Sequence, residues 1–324
     1  MKKSRRKFIK NTVSASAATF LTPTIVSASV FGANDRINAV VLGVNGRGKS
    51  HISSLMKQKN VNVTKLCDPD MNLLLKRQRE FKNKYNKDIS LEQDLRKVMD
   101  DKDIDVVSIA SPNHWHALSV IWACQAGKDV YVEKPGSHNI FEGRKMVEAA
   151  QKYDRIVQHG VQLRSSPAIN EAIGLLRDGY IGNVYMARGL VFRWRGDIGD
   201  KGFSSVPKGL DYDLWTGPAP KRPFTENIVH YNWHWHWDYG NGDVGNQGIH
   251  ETDLCMWGLD VGLPTKITSM GGKFLWDDCK EVPEVLTSVY NYPEEGKIIQ
   301  FEVRPWCTNT EEGATVGNIF YGDK

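Results

Sequence analysis

Residues 37–51, Ile-Asn-Ala-Val-Val-Leu-Gly-Val-Asn-Gly-Arg-Gly-Lys-Ser-His, constrain the fold of this chain more than any other stretch. Residues 37–42 are an apolar run suited to a buried strand, Gly43 begins a glycine-rich turn, and 49–58 read as a helix. A strand turning sharply into a helix leaves unpaired backbone N–H groups at the helix N-terminus, where they can cradle a pyrophosphate. The usual pattern is G-x-G-x-x-G; here Asn45 takes the second glycine position and Gly46 follows it, ahead of Arg47 and Gly48. Asn tolerates positive φ better than most residues, so the turn remains feasible. A second strand, 61–67, ends at Asp68, 20 residues beyond Gly48. An acid there bonds the adenosine ribose and repels a 2′-phosphate, which favours NAD over NADP. The competing reading of Asp68 is a helix N-cap ahead of Pro69.

The alternation continues. Strands are expected at 104–110, 129–133 and 155–161, and helices at 116–127 and 141–153. Alternating β and α units imply a doubly wound parallel sheet that binds ligands at the carboxyl ends of its strands. Those ends carry Ser111-Pro112-Asn113-His114-Trp115-His116 and Glu133-Lys134-Pro135, with Gln162 and Arg164 just after the strand at 155–161.

The N-terminus reads as an address, not as part of the fold. Ser4-Arg5-Arg6-Lys7-Phe8-Ile9-Lys10 fits the twin-arginine export pattern, and small-residue cleavage candidates lie around Ala28, Ser29 and Ala33. Export as a folded periplasmic protein is the expectation. The apolar stretch is broken by Pro23 and many hydroxyl residues, so no membrane span is expected once it is removed. Six of the 42 Lys and Arg lie in this leader, leaving 36 against 38 acids, so the basicity of the whole chain is no sign of nucleic acid binding. The five cysteines form no C-x-x-C pair and read as buried thiols.

The glycine loop 43–48, Asp68, the 111–116 segment, Glu133-Lys134-Pro135 and the later Gly248-Ile249-His250-Glu251-Thr252-Asp253 occur in the order found in the Gfo/Idh/MocA oxidoreductases. The chain resembles that family over nearly all of its length after the leader. The resemblance implies an N-terminal Rossmann-type domain binding a nicotinamide dinucleotide, at 34–160. It implies a C-terminal α+β domain at 161–324, with an open, mainly antiparallel sheet that covers the nicotinamide and binds a sugar or polyol. On that analogy a homo-oligomer is expected. Two departures stand out. Many members carry Asp four residues before the catalytic histidine, where this chain has Asn246. Members usually continue beyond the closing Ile-Phe-Tyr-Gly-Asp-Lys, so the second domain is expected to be cut short.

Oxidising a secondary alcohol needs a base, a hydride acceptor and a group that holds the oxygen. His250 is the candidate base, having the side chain that titrates nearest neutrality. Lys134 is the candidate orienting group, and Asn246 is expected to align His250 or the substrate, since i and i+4 share a helix face. The cofactor set is Gly43, Asn45, Gly46, Arg47, Gly48, Asp68, Ser111, Pro112, Asn113, His116, Glu133, Lys134 and Gln162. The substrate set is Arg164, Trp194, Trp233, His234, Trp235, His236 and Asp253.

Residues 232–250, Asn-Trp-His-Trp-His-Trp-Asp-Tyr-Gly-Asn-Gly-Asp-Val-Gly-Asn-Gln-Gly-Ile-His, pose a question of their own. In an extended strand Trp233, Trp235 and Trp237 would point one way, and His234, His236 and Asp238 the other. Zinc ligation by the polar row, a packed aromatic strand and a sugar-binding edge are the three readings. Zinc is disfavoured because no Cys or Glu completes the set, and the sugar-binding edge is preferred because aromatic faces stack on the apolar face of a pyranose while His and Asp bond its hydroxyls. Arg193 and Arg195 could bind a carboxylate or phosphate on a sugar, or could be surface strand residues. Asp213-Leu214-Trp215-Thr216-Gly217-Pro218 reads as a structural loop. The function expected is an exported NAD(H)-dependent oxidoreductase acting on a secondary hydroxyl of a sugar or glycoside. The alternatives are an NAD-dependent glycosidase working by transient oxidation and elimination, and a degenerate sugar-binding protein.

Overall fold

Strand β1 (Ile37–Leu42) contributes Ala39, Val40 and Val41, none of which retains any exposure. A strand covered on both faces needs a continuous apolar run, which is why 37–42 shows no alternation. In the computed structural model of the protein, which describes residues 36–324, this strand begins a six-stranded parallel sheet ordered β3-β2-β1-β4-β5-β6. The export pattern at residues 4–10 and its cleavage candidates lie outside the described residues. The other strands are β2 (Val61–Cys67), β3 (Ser90–Glu92), β4 (Val106–Ile109), β5 (Asp129–Glu133) and β6 (Val157–Gly160).

Helices α1 (Gly46–Leu55), α2 (Met71–Tyr85), α3 (Leu95–Asp100), α4 (Asn113–Gln125) and α5 (Ile140–Lys152) connect these strands. One apolar cluster gathers Val40, Val107, Ile109, Val120 and Val132; another gathers Val41, Leu66, Leu74 and Phe81, so both faces of the sheet are covered. Three helices start where a short polar side chain accepts from a backbone N–H: Asp70 for α2, Asp94 for α3 and Asn139 for α5. Two helices begin earlier than the apolar periodicity suggests. Helix α1 opens at Gly46 rather than 49, and α4 at Asn113 rather than 116. Their first turns carry polar residues that serve the site, so hydrophobic patterning does not register them.

After α6 (Pro167–Arg177), strand β7 (Val184–Phe192) enters a second sheet of five strands, ordered β11-β7-β10-β9-β8. Its remaining strands are β8 (Lys266–Gly272), β9 (Val285–Tyr292), β10 (Lys297–Arg304) and β11 (Val316–Gly322). Only the β7–β10 pair is parallel; the other three pairings are antiparallel. Helix α8 (Ile249–Leu259) packs on one face, with Cys255 and Leu259 against Ala187 and Ile299.

Between β7 and α8 the chain makes a long excursion back onto the first sheet's domain. It carries the short helix α7 (Tyr212–Thr216) and its own apolar cluster of Leu210, Tyr212, Trp215, Phe224 and Tyr239. The docking is specific. His114 Nε2 and Trp115 Nε1 bond the Trp215 carbonyl at 3.1 and 2.9 Å. Gly217 sits at φ +50° with its α-carbon pressed on the Trp115 ring; a Cβ there would lie 1.9 Å from a ring carbon. Among the described residues, no helix is long and apolar enough to cross a membrane.

Candidate active-site cleft

A cavity of about 1000 Å³ runs from the glycine turn to α8, between the carboxyl ends of the parallel strands and the excursion. That is the upper end of the range usual for ligand pockets, and it leaves room for a dinucleotide and a second small molecule.

At one end, Gly43 has φ +77°, and a Cβ on it would stand 2.6 Å from the Ala110 carbonyl oxygen. A Cβ on Gly48 would stand 1.8 Å from the Gly43 carbonyl oxygen. These two glycines are steric necessities, whereas a Cβ on Gly46 would meet nothing within 4 Å. Asn45 sits at φ −74°, so the left-handed residue of the turn is Gly43, and tolerance of positive φ is not what places Asn45 there. Asp68 closes this end. Its oxygens accept from the Val44 and Asp70 backbone N–H groups at 2.9 and 3.0 Å, tying β2 to the glycine turn. Burial raises its pKa and those two bonds partly offset the rise. The cap of α2 is Asp70, bonded to Asn72 N at 2.8 Å, so the N-cap reading of Asp68 does not hold.

Glu133 is almost fully buried and accepts from Arg47 Nε at 2.7 Å and His51 Nε2 at 3.0 Å. Burial alone would raise its pKa; the His51 and Arg47 contacts outweigh it and hold the carboxyl at about 2. His116 bridges the Ser111 carbonyl at 2.8 Å and the Pro135 carbonyl at 2.6 Å, fixing the end of β4 to the loop after β5. Pro112 is the N-cap residue of α4, and Asn113 reaches Asn241 Oδ1 at 3.0 Å. The Ser111 hydroxyl is buried on the cavity wall with no partner among the described residues.

The other end is built by a π-helical turn, Val244–Gly248, running directly into α8. Wider turns of this kind recur at functional sites. This one presents Asn246 and Gln247 to the cavity, beside His250 from the first turn of α8. Lys134 Nζ donates to the Asn246 carbonyl and, at 3.3 Å, to its Oδ1. The expected alignment of His250 by Asn246 is therefore corrected: Asn246 orients Lys134, and its amide nitrogen faces Asp243 at 3.4 Å. His250 is buried at 7% exposure, and its Nδ1 has no partner among the described residues. Burial, with the Lys134 charge beside it, lowers the pKa of His250; burial also lowers that of Lys134. Next to His250, the buried Glu251 accepts from Gln247 Nε2 at 3.1 Å, and burial raises it to about 7.

The Trp–His stretch is not a strand. Residues Asn232–Trp235 form a 3-10 turn, which breaks the two-face alternation. Trp233 and His234 stack on each other, with ring centroids 3.6 Å apart, and both line the cavity. Burial pulls His234 down to about 4. Trp235 is buried away from the cavity under the Arg195 guanidinium, 5.2 Å from its ring. His236 is buried beside Glu281, 3.5 Å away, and Trp237 is exposed. His234 and His236 thus point to different neighbours. Among the described residues, no group of three or more His, Cys, Asp or Glu side chains is placed to hold a metal ion.

Three further substrate candidates lie off the cavity. Arg164 and Asp253 pair with each other through two 2.8 Å bonds, which satisfies both charges outside it. Trp194 packs against Trp276 and Trp306 in a half-exposed aromatic group, because its neighbours Arg193 and Arg195 take the cavity side of an extended segment. Gln162 lines the cavity as expected. Sequence reasoning missed Asp94 and Arg96, an ion pair at 2.7 Å on the wall beyond Asp68, and also missed that the 213–218 segment, read as a structural loop, forms part of the cavity wall. The residues of that segment were visible as a motif, but nothing in their spacing says that they fold over the cavity.

Two models of one oxidoreductase family match this chain. One, described as an NAD-binding Rossmann fold, covers residues 37–161; the other, described as a C-terminal alpha/beta domain, covers 183–295. Over 105 residues the chain is 35% identical to levoglucosan dehydrogenase of Pseudarthrobacter phenanthrenivorans, covering 32% of this chain and 27% of that protein. Over 172 residues it is 28% identical to a glycosyl hydrolase family 109 protein of Shewanella, covering 47% and 38%. The chain therefore matches well under half the length of these curated relatives. The WlbA dehydrogenase of Bordetella pertussis, solved with NADH and UDP-GlcNAcA, superposes with a TM-score of 0.69 at 18% identity, covering 90% of this chain and 72% of that one.

Proposed function

We propose, for a chain that belongs to the Gfo/Idh/MocA oxidoreductase family, that it oxidises or reduces a secondary hydroxyl of a sugar or glycoside with NAD(H). The observation that carries this reading is the meeting of Lys134 and the 244–250 turn at the end of a cleft whose other end is a dinucleotide cradle. The cleft residues fit a nicotinamide dinucleotide. Gly43 and Gly48 let the turn pack against Ala110 and against itself, which brings its backbone to the cavity wall where a pyrophosphate would lie, and Asp68, at the end of β2 beside this turn, is the residue assigned to the ribose. A bound nicotinamide would supply the hydride acceptor or donor.

This chain's residues do the rest. In the oxidative direction His250 takes the hydroxyl proton. Its lowered pKa keeps the imidazole neutral, and so able to act as a base, below the usual imidazole range. Lys134, held by Asn246, donates to the same oxygen and stabilises the negative charge that develops there. Trp233 and His234 form the wall on which the apolar face of a pyranose can rest, with hydroxyls in reach of the imidazole. Glu133, Arg47 and His51 form a closed ion group that stiffens the floor beneath Lys134.

The test is to purify the folded protein without added cofactor, identify any nucleotide released on denaturation, and then offer a sugar panel. Stoichiometric NAD or NADH, with ketone formed from a sugar, supports the proposal; NADP would show that Asp68 does not exclude a 2′-phosphate. Absence of nucleotide binding to the wild type, even when NAD is added, overturns the proposal. The likeness to a glycosyl hydrolase family 109 protein supports one second reading. In that reading the same His250 and Lys134 serve transient oxidation, elimination of the glycosidic bond, addition of water and return of the hydride. Free sugar with no net redox change would decide for it. Export to the periplasm is also proposed, on the pattern at residues 4–10; cell fractionation with Arg5 and Arg6 changed to Lys tests it.

A further inference from the structure

The cations that line the cavity divide into those paired with a carboxylate and those left to solvent or a ligand. Arg47 is held by Glu133, Arg96 by Asp94, Lys221 by Asp213 and Arg195 by both oxygens of Asp243, at 2.9 and 2.7 Å. Two cavity cations make no salt bridge with a carboxylate among the described residues. One is Lys134, whose Nζ is taken up by Asn246. The other is Arg193, the first residue after β7.

The only side-chain bond of Arg193 among the described residues runs from Nη1 to Gln247 Oε1 at 3.2 Å. That contact is directional. The Gln247 amide nitrogen is committed to Glu251 at 3.1 Å, so its oxygen is turned toward the guanidinium. Gln247 therefore braces Arg193 through one nitrogen and neutralises none of its charge. The Nε–Nη2 edge remains available, and this edge binds a carboxylate or phosphate through two parallel bonds. The acids of the cavity wall are Asp68, Asp94, Glu133 and Asp213, and each has a partner: the Val44 N–H, Arg96, Arg47 and Lys221 respectively. None of these four carboxylates bonds Arg193, whose one side-chain partner among the described residues is Gln247.

We propose that Arg193, braced by Gln247, is a specificity residue that receives an anionic group of the substrate: a carboxylate, as in a uronic acid, or a phosphate ester. This rests on the sugar oxidoreductase reading and narrows its substrate to an acidic sugar. The adjacent arginine, Arg195, has no such role, because Asp243 already satisfies it and its guanidinium covers the Trp235 ring.

The experiment is calorimetric titration of the NADH-loaded protein with three probe classes. These are methyl hexuronides, hexose 6-phosphates and neutral methyl hexosides, in gluco, galacto and manno configurations. At least one anionic probe is expected to bind roughly tenfold or more tighter than its neutral partner, and its affinity is expected to fall with added salt. In Arg193→Gln the ratio of anionic to neutral affinity is expected to fall by roughly 10- to 100-fold. Arg193→Lys is expected to restore part of it, with melting curves showing both variants folded. The class of the winning probe tells carboxylate from phosphate. A wild type that binds neutral probes as well as anionic ones, or binds no anionic probe, overturns the proposal. So does a ratio unchanged in Arg193→Gln. Ketone formation, measured separately on the same probes, keeps the two readings apart. Arg193-dependent binding without ketone would count against the oxidoreductase reading alone, and ketone from neutral sugars without anionic binding would count against this proposal alone.

Discussion

The two ends of the cleft are built on opposite plans. At the dinucleotide end, polar groups sit on strand ends and first helical turns, and their charges are closed off: Asp68 by two backbone N–H groups, Glu133 by Arg47 and His51. At the other end, Asn246 and Gln247 hang on a π-helical turn and His250 on the first turn of α8, and several polar groups are not fully paired among the described residues. These include the Nδ1 of His250, an oxygen of Glu251 and most of the Arg193 guanidinium. A closed network in a dry site is rigid and binds by shape. Open titratable groups with lowered or raised pKa are what proton transfer and ligand discrimination require. The first end is thus a platform and the second is where chemistry is expected.

The comparison breaks most decisively at Lys134 and His250. Lys134→Ala and His250→Ala are each expected to lower kcat by roughly 10²- to 10⁴-fold, and His250→Ala, which removes no residue of the cofactor set, is expected to change NAD affinity little. Steady-state rates beside equilibrium NAD titration check this. Equal losses of NAD binding and turnover would show that the two ends are not separable.

At the platform end, the expected damage is to folding and cradle together. Gly48→Ala is expected to cost roughly 3 kcal/mol or more and to abolish NAD binding, since its Cβ would collide with the Gly43 carbonyl. Gly46→Ala meets open space and is expected to stay within about 1 kcal/mol of the wild type. Chemical denaturation of both variants measures the contrast.

The closed Glu133 group gives a pH signature. Its carboxyl moves from the ordinary 4.5 to about 2 on folding, so its stabilisation is fully present above about pH 4.5 and is lost as pH falls through about 2. For this buried group the contribution is roughly 3 kcal/mol. Denaturation of Glu133→Gln against the wild type should show a gap at pH 7 that narrows below pH 4.5. A constant gap would show that the ion group contributes no proton linkage.

The smallest expected effects sharpen the map of tryptophans. Trp233→Ala is expected to raise the KM for sugar by roughly 3- to 10-fold through lost ring contact. Trp194→Ala, off the cavity, is expected to leave it within about 2-fold. Sugar KM values for the two variants settle the order.

The contrast between the ends also divides what could be read in advance. The dinucleotide end was legible because each of its residues is tied to a local pattern: an apolar run, a glycine turn, an acid one strand later, and Glu133-Lys134-Pro135 at the end of β5. The substrate end depends on how an excursion of some fifty residues, from Arg193 to Gly242, lies across another domain. Local pattern misread it twice. Trp233 to Trp237 alternate as a strand would but fold as a turn, because the excursion closes on its own cluster around Tyr239 and Trp215. Asn246 stands four residues from His250, as a ring-orienting partner would, but the wider π-helical turn carries it to Lys134.

By itself, the sequence determined the parallel sheet, the cradle and the chemical types at strand ends, because backbone geometry and burial act over a few residues at a time. Only the tertiary structure decided which charges are spent and which are free. Arg164 and Asp253 are 89 positions apart and cancel; Arg195 finds Asp243 across 48, while Arg193, two residues earlier, finds only an amide. Pairing depends on distances through space between groups remote in the chain, and a Coulomb interaction is set by those distances and by the local exclusion of water.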